Sequence, residues 1–268
     1  MIATRTIRQL RAELAPHRAG GATIGLVPTM GALHAGHVSL LEAARRENDV
    51  VVASLFVNPA QFDEQADLTA YPQDEEADAV VAEAAGVDVL FAPTGAELYP
   101  PGFQTWIEVE QLSEGLEGAV RPGHFRGVAT ICLKLFNLVR PTRAYFGQKD
   151  AQQAAVVQRL VRDLDLELQI RVLPIVRDPD GLPLSSRNVR LSPAERIRAL
   201  ALPRALEAGR DAYARGGDPV AAARAALNGL TPDYVELLGL DGATVLAAAA
   251  RVGSTRLIDN VLVKGELS

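Results

Sequence analysis

Residues 23–47, TIGLVPTMGALHAGHVSLLEAARRE, predict a strand that turns sharply into a helix. The apolar run at 23–27 contains β-branched residues and lies between a glycine and a proline, which is typical of a buried strand. From near His37 onward, apolar residues recur with the helical period among good helix formers, so a helix is expected to start there. The fold is therefore expected to be built around this junction.

The turn inside this stretch has the features of an anion site. A strand that runs into a helix directs backbone N–H groups and the positive end of the helix dipole at one point, which suits a phosphate. Gly31 and Gly36 would clear space where a ligand approaches the backbone. His34 and His37, three residues apart, would share a helical face and donate to the same phosphate oxygens. Two exposed loop histidines would give the same pattern, but the chain has only four histidines, which favours a site.

The composition sets limits on the class of protein. A chain of 268 residues can bury one large core, or form one large and one small domain. A net charge of −6 argues against nucleic acid as the main partner, although a small anionic substrate remains compatible with it. The first residues do not resemble a secretory signal, and no apolar run reaches the length of a membrane span. The expectation is a cytoplasmic globular protein without a membrane partner.

The rare residue types are informative. The single cysteine, Cys132, excludes an intramolecular disulfide, and its apolar helical surroundings predict a packed thiol. Only three of the 27 basic residues are lysines, namely Lys134, Lys149 and Lys264. A chain that uses arginine almost everywhere else is expected to keep lysine where a compact ammonium group is needed.

The following segments predict an α/β fold. The apolar run at 49–57 lacks alternation, which is typical of a central parallel strand covered on both faces. It ends at Asn58 and Gln61, at the sheet edge where α/β proteins bind ligands, although Asn-Pro is also common in ordinary turns. A helix at 74–85 and a strand at 87–91 continue the strand–helix–strand order. We predict a Rossmann-like, doubly wound parallel sheet.

The rest of the chain is expected to complete this sheet and to form a smaller C-terminal α/β lid domain. The predicted domains are 1–176 and 177–268. Ser192 and Glu195 predict a capping box at a helix start, and Pro203 should kink or split that helix. Further strands are expected at 104–110, 144–147, 168–176, 234–238 and 255–263. Helices are expected at 129–139 and 151–164, and helical segments from the Ser192 start to residue 227. A loop is expected at 112–118 and a turn at 178–181.

Three further segments predict a polar site. Lys149 lies in a strand-to-helix turn, where its ammonium could reach phosphate oxygens, and a purely structural lysine is disfavoured at a helix N-terminus. The run Ser185-Ser186-Arg187 offers two hydroxyls and a guanidinium for a triphosphate. The segment RPGHFRGV at 121–128 favours a polar wall over a structural loop. The sequence contains neither a P-loop, nor a dinucleotide fingerprint, nor zinc-ligand spacing.

These motifs together resemble a known family. HAGH at 34–37 resembles the His-x-Gly-His signature of the nucleotidyltransferase superfamily. The strings PTMGALHAGH, NPAQF, RPGHFRGV, GQKD and SSRN, spread over residues 24–191, are similar in kind and order to those of the pantoate–β-alanine ligase family. The resemblance implies an ATP-dependent ligase that condenses (R)-pantoate with β-alanine through a pantoyl-adenylate, releasing AMP and pyrophosphate, in pantothenate and coenzyme A biosynthesis.

The resemblance also implies roles for individual residues. His37, as proton donor, His34, Lys149 and Arg187 would be catalytic. Gln61, Gln153, Asn58 and His124 would bind pantoate and β-alanine. ATP would contact Met30, Gly31, Ala32, Leu33, His34, Ala35, Gly36, His37, Gly147, Gln148, Lys149, Asp150, Val176, Leu184, Ser185, Ser186 and Arg187. Mg²⁺ would accompany ATP with ligands unassigned, although Asp78 could approach it, and the protein would be a homodimer. Ala151 departs from the family, which usually has an aromatic residue there, so the local packing is in question.

Two other functions share part of this pattern. A different nucleotidyltransferase, transferring AMP or CMP to a phosphorylated acceptor, would have the histidine turn but would not need both glutamines. A non-catalytic regulatory module would bind ATP without releasing pyrophosphate with any acid.

Overall fold

The computed structural model describes residues 1–62, 68–69, 71–240 and 242–266. The chain divides into two compact units. The first unit comprises Met1–Phe146 and Val156–Arg171, and the second comprises Gly147–Ala155 and Val172–Ser268. The division therefore groups the Lys149 turn with the C-terminal part of the chain.

The first unit is built on a six-stranded sheet, whose strands are β1 Ile2–Thr4, β2 Ile24–Thr29, β3 Val50–Leu55, β4 Val89–Phe91, β5 Arg143–Gly147 and β6 Gln169–Leu173. Their order in the sheet is β1-β4-β3-β2-β5-β6. The pairings of β1 with β4, β4 with β3, β3 with β2, and β2 with β5 are parallel. The order reverses between β2 and β5, which is the point where doubly wound sheets bind ligands. The predicted Rossmann-like class is confirmed.

The helices follow the strands as the alternating pattern predicts. The helix after β2 starts two residues before the expected His37, because His34 caps it. β3 is buried along all but its last residue, which confirms a central strand covered on both faces. The helices are Ile7–Ala19, Ala35–Glu47, Glu75–Ala84, Gly95–Leu98, Glu117–Val120, His124–Val139 and Ala151–Asp163, with 3-10 turns at Pro59–Gln61 and Gln148–Asp150.

The strand predicted at 104–110 is wrong. This segment has no regular secondary structure, and the N–H of Ile107 donates to Thr130 Oγ1 at 3.0 Å. A side chain of the helix His124–Val139 therefore satisfies a donor that a strand partner would otherwise take. That helix also begins five residues before the predicted 129. The short helix Glu117–Val120 begins inside the predicted 112–118 loop.

The second unit combines helices with an antiparallel sheet. Its helices are Pro193–Ala199, Ala201–Ala214 and Pro219–Ala226, with a 3-10 turn at Ser186–Arg190. Its strands, in the order β7-β8-β9, are β7 Pro232–Leu240, β8 Ala243–Val252 and β9 Thr255–Gly265. The capping box of Ser192 and Glu195 is confirmed. The helix is split at Leu200, three residues before Pro203, as expected for a proline that is tolerated only in a first turn.

Strand β8 is absent from the sequence-based prediction. Its sequence, ATVLAAAARV, contains the run 247–250 of four alanines, and alanine has the highest helix propensity. The four alanines are buried in the structure. The small side chains fit a core in which the helix Ala201–Ala214 packs on the sheet, with Leu206, Val235 and Leu246 fully buried. Tertiary packing overrides local propensity here.

The buried thiol of Cys132 gives a direct test of the first-unit core. Cys132 is 4% exposed, and burial raises the pKa of its thiol to about 12. We expect the native protein to react with dithionitrobenzoate at under about a hundredth of the rate seen in guanidinium, because the thiol is both shielded and protonated at neutral pH. The absorbance of the released nitrothiobenzoate measures this rate. Prompt stoichiometric reaction of the folded protein would contradict the packing described.

Candidate active site

The histidine turn after β2 is closed by two reciprocal hydrogen bonds. His34 occupies the N-cap position of the helix Ala35–Glu47, and its Nδ1 accepts from the N–H of Gly36 at 3.1 Å. The N–H of His34 in turn donates to Nδ1 of His37 at 3.3 Å. The two ring centroids lie 4.2 Å apart. The arrangement is a capping box in which imidazoles replace the usual hydroxyl and carboxylate.

This capping fixes how both rings present their protons. A ring nitrogen that accepts from a backbone N–H carries no hydrogen, so a neutral His34 or His37 has its hydrogen on Nε2. Two Nε2–H donors on neighbouring rings suit the oxygens of one phosphate. The spacing of the histidines predicted neighbouring rings, and this is confirmed. The capping role of the Nδ1 atoms could not be read from the spacing.

The glycines of the turn make room for the chain's own side chains. A Cβ on Gly36 would lie 2.9 Å from Cε1 of His34, so only glycine lets that ring fold over the helix end. Gly31 has φ +89°, and a Cβ there would lie 2.8 Å from Oδ2 of Asp78. Ala32 follows with φ +51°, which is uncommon for a residue with a Cβ. These glycines therefore have an internal reason, and the space for a ligand stays a prediction.

Asp78 holds the first half of the turn. This buried residue of the helix Glu75–Ala84 accepts from the N–H of Ala32 at 2.9 Å and from the N–H of Leu33 at 2.7 Å, one bond to each carboxylate oxygen. These bonds offset the unfavourable backbone at Ala32. Across the described residues, no cluster of three or more His, Cys, Asp or Glu side chains could hold a metal ion. The two bonds to the backbone assign Asp78 to the support of the turn.

We expect Asp78→Asn to lower the stability of the protein and to raise the KM for ATP. The amide replaces one acceptor by a donor that faces a backbone N–H, so the free energy of unfolding should fall by about 1–3 kcal/mol. Denaturant titration and the KM for ATP check this. Glu76→Gln, an exposed change on the same helix, is the matched control and should alter neither quantity. Unchanged stability of Asp78→Asn would contradict the support assigned to this carboxylate.

The two carboxamides after β3 form a buried network with the histidine turn. Asn58 and Gln61 are 1% and 7% exposed. Nδ2 of Asn58 donates to Oε1 of Gln61 at 3.0 Å and to the carbonyl of Gly127 at 3.1 Å. Nε2 of Gln61 contacts Sδ of Met30 at 3.0 Å. The structure thus brings Gln61 beside the residue that precedes Gly31, as the shared sheet edge predicts.

The segment RPGHFRGV contacts the backbone of Gln61. The carbonyl of Gln61 accepts from Nδ1 of His124 at 2.8 Å and from Arg121 at 3.1 Å. A Cβ on Gly127 would lie 2.7 Å from the nitrogen of Gln61 and closer still to the carbonyl of Ala60, so glycine is required for this close packing. His124 is 8% exposed. Its ring nitrogen thus bonds to the backbone of Gln61, a residue predicted to bind substrate.

The second unit groups the other predicted phosphate-binding residues. Lys149, Ser185 and Arg187 line one cavity together with Arg256 of β9. Oγ of Ser185 accepts from the N–H of Arg187 at 3.3 Å, and Nζ of Lys149 lies 3.7 Å from Asp150. Arg256 was not predicted. In a chain whose basic residues are nearly all arginines, one arginine within a strand gives no signal.

The remaining predicted residues of this unit are close in sequence to residues that line this cavity. The N–H of Leu184 donates to the carbonyl of Val176 at 3.0 Å. Ser186 begins the 3-10 turn that contains Arg187, and Gln153 is partly exposed on the helix Ala151–Asp163. Ala151, where the family usually has an aromatic residue, is 4% exposed, so the smaller side chain is accommodated within the packing.

Comparison with known proteins gives a consistent result over nearly the whole chain. The sequence model of the family described as pantoate-beta-alanine ligase matches residues 2–262. The pantothenate synthetase of Rhizorhabdus wittichii is 52% identical, with 97% of this chain and 98% of the relative covered. The pantothenate synthetase of Moorella thermoacetica is 50% identical with the same coverage.

Solved structures of the same family have the same fold. Pantothenate synthetase from Thermus thermophilus superposes with a TM-score of 0.91 at 46% identity, covering 98% of this chain and 100% of that chain. Pantoate-beta-alanine ligase from Francisella tularensis, solved with beta-gamma ATP and beta-alanine, has a TM-score of 0.82 at 36% identity, with 98% of each chain covered. Within the described residues, no helix is both long and apolar enough to cross a bilayer. On these matches, and with the motifs in the expected order, the chain belongs to the pantoate–β-alanine ligase family.

Proposed function

We propose that the protein condenses pantoate with β-alanine at the expense of ATP. A pantoate carboxylate oxygen attacks the α-phosphorus, the bond to the pyrophosphate oxygen breaks, and pantoyl-adenylate forms. The neutral amine of β-alanine then attacks the acyl carbon, the C–O bond to AMP breaks, and the amine loses a proton to give pantothenate. The observation that carries this proposal is the pair of capped imidazoles beside the buried Gln61 amide, within a chain that matches the ligase family from residue 2 to 262.

The proposed catalysis is charge stabilisation and positioning, with no covalent intermediate on the protein. His34 and His37 donate from Nε2 to phosphate oxygens of ATP, and His37 is also the proposed proton donor. In the second unit, Lys149, Ser185, Ser186 and Arg187 supply charge and hydroxyl donors for the phosphates. Donors that are already oriented cost no reorganisation as the leaving pyrophosphate gains charge.

Pantoate is proposed to bind through carboxamides. Gln61 is fixed by Met30 and Asn58 and on its backbone by His124, so its amide is oriented before substrate arrives. Gln153 is the proposed second pantoate ligand. On this account Asn58 and His124 act on pantoate through Gln61. The bonds that both make to Gln61 support this indirect role, and the direct binding that the resemblance implies stays a prediction.

Four accompanying proposals complete the functional assignment. Mg²⁺ would accompany ATP and supply positive charge to its phosphates, and its ligands would be mainly phosphates and water, as is usual for this ion. The protein works in the cytoplasm, where ATP is supplied, and forms a homodimer, which light scattering after gel filtration would test. Residues 1–176 are proposed to bind ATP and pantoate, with 177–268 as a lid domain.

The deciding experiment measures pyrophosphate release from magnesium ATP. We expect release to depend on pantoate and to turn over continuously only when β-alanine is added, with pantothenate and AMP formed in equal amounts. Binding of ATP without release in the presence of pantoate would favour the regulatory module. Release only with a phosphorylated acceptor would favour the other nucleotidyltransferase. Either result would overturn the proposed function.

A further inference from the structure

The turn that carries Lys149 is held by one buried amide from the last strand of the chain. Asn260, in β9, is 2% exposed. Its Nδ2 donates to the carbonyls of Gln148 at 2.8 Å and of Lys149 at 3.1 Å. Its Oδ1 accepts from Nε2 of Gln148 at 2.9 Å. A single side chain therefore binds the two peptide carbonyls that flank the α-carbon of Lys149, together with the side chain of Gln148.

The position of Asn260 is itself fixed by its neighbours. The preceding residue, Asp259, is 1% exposed, and its carboxylate accepts two bonds from Arg177, at 2.8 and 2.9 Å. Oδ1 of Asp259 also accepts from the N–H of Asn260 at 2.7 Å, and Arg177 reaches the carbonyl of Asn260 at 3.3 Å. Charge-assisted bidentate bonds of this kind are strong and directional. The amide of Asn260 is thus presented to the Lys149 turn in one orientation.

A lysine needs such support more than most residues. Its ammonium stands at the end of four rotatable bonds, so its reach depends on where the backbone is held. The two carbonyls bound by Asn260 keep residues 148–150 in a 3-10 turn directly before the helix Ala151–Asp163. Lys149 lines the cavity that also contains Ser185, Arg187 and Arg256. Releasing the turn would let the ammonium leave this cavity.

We propose that Asn260 is a positioning residue that holds the Lys149 turn so that the ammonium meets the phosphates of ATP. The identity of the ligand rests on the proposed function, whereas the hydrogen bonds that define the role do not. Strand β9, which carries none of the sequence motifs, thereby takes a role in nucleotide binding. The effect of Asn260 on ATP binding should pass mainly through Lys149.

The test is a double-mutant cycle on ATP binding by calorimetry. Asn260→Leu removes all three side-chain bonds at similar volume, and we expect it to raise the Kd for ATP about tenfold. In a Lys149→Met background the same change should alter the Kd by less than about twofold, because the group being positioned is already missing. In steady-state assays, Asn260→Leu should raise the KM for ATP and leave the KM for β-alanine within about twofold.

Two further variants keep the test decisive. Asn260→Ser, which leaves a smaller polar group, replaces the leucine variant if circular dichroism shows that the latter does not fold. The matched control is Asn48→Leu. Asn48 is a buried asparagine of the first unit that donates to the carbonyl of Ala44 and to Tyr145, and its loss should lower thermal stability without changing the Kd for ATP.

The outcomes separate this inference from the proposed function. If Asn260→Leu weakens ATP binding equally with and without Lys149, or does not weaken it, the positioning role is wrong even when the unmodified protein makes pantothenate. If the unmodified protein binds ATP but releases no pyrophosphate with pantoate, the proposed function is wrong, and the binding cycle still decides the role of Asn260.

Discussion

Replacement of His37 by alanine is expected to lower the rate of pantoate-dependent pyrophosphate release by about 10²–10³-fold, the usual effect of removing one oriented donor from a site of developing charge. The loss should fall mainly on kcat, because the Nε2–H bond to phosphate strengthens as pyrophosphate departs. Stopped-flow measurement of the first turnover checks this. Far-ultraviolet circular dichroism should remain unchanged.

Two conservative variants separate the chemistry of His37 from its structural bond. His37→Asn places an oxygen near the position of Nδ1, so it can accept from the N–H of His34, but it lacks the distal donor. His37→Gln can place a donor near Nε2 instead. We expect the asparagine variant to be as slow as alanine and the glutamine variant to recover part of the rate. Full activity of the asparagine variant would mean that His37 matters only as a helix cap.

Lys149→Met is expected to have the second-largest effect, a fall of about 10²-fold in kcat/KM for ATP. Methionine keeps most of the apolar stem and removes the charge, so the loss reports the ammonium and not the packing. Lys149→Arg should recover only part of the rate, since a planar guanidinium differs in shape and reach. Steady-state kinetics with varied ATP give the measurement.

The same substitution elsewhere in the chain provides the control for Lys149. Lys264 is exposed near the end of β9, so Lys264→Met makes the same change of charge away from the cavity that Lys149 lines. It should leave kcat/KM for ATP within about twofold of the unmodified protein, as is usual for exposed surface changes. A Lys149→Met variant with unchanged kcat/KM would remove this lysine from the proposed phosphate site.

Features that depend on neighbouring residues were predictable from the sequence. The β2 strand and the helix that follows it were readable because a buried parallel strand is continuously apolar and an amphipathic helix has its own period. The Ser192 capping box and the turn at 178–181 were equally local, and both are present. The histidine pair was found because its spacing placed both rings in one helix turn.

Features that depend on distant partners were not predictable. Asp78 supports a turn 45 residues away in sequence, and Asn260 holds a turn 111 residues away, so neither has a neighbour that reveals its role. The segment 104–110 has strand-like composition, but a helix side chain takes one of its donors. β8 is hidden because alanine indicates a helix until the packing partner is known. Long-range hydrogen bonds and packing decide these cases, and sequence periodicity contains neither.

The most direct test of the central claim follows the oxygen of pantoate. Pantoate labelled with ¹⁸O in both carboxylate positions is converted with ATP and β-alanine, and the AMP is analysed by mass spectrometry. If the carboxylate attacks the α-phosphorus and the amine later breaks the acyl C–O bond, each AMP should carry one labelled oxygen and each pantothenate should retain the other. Unlabelled AMP, or label in inorganic phosphate with ADP as the nucleotide product, would contradict the acyl-adenylate mechanism.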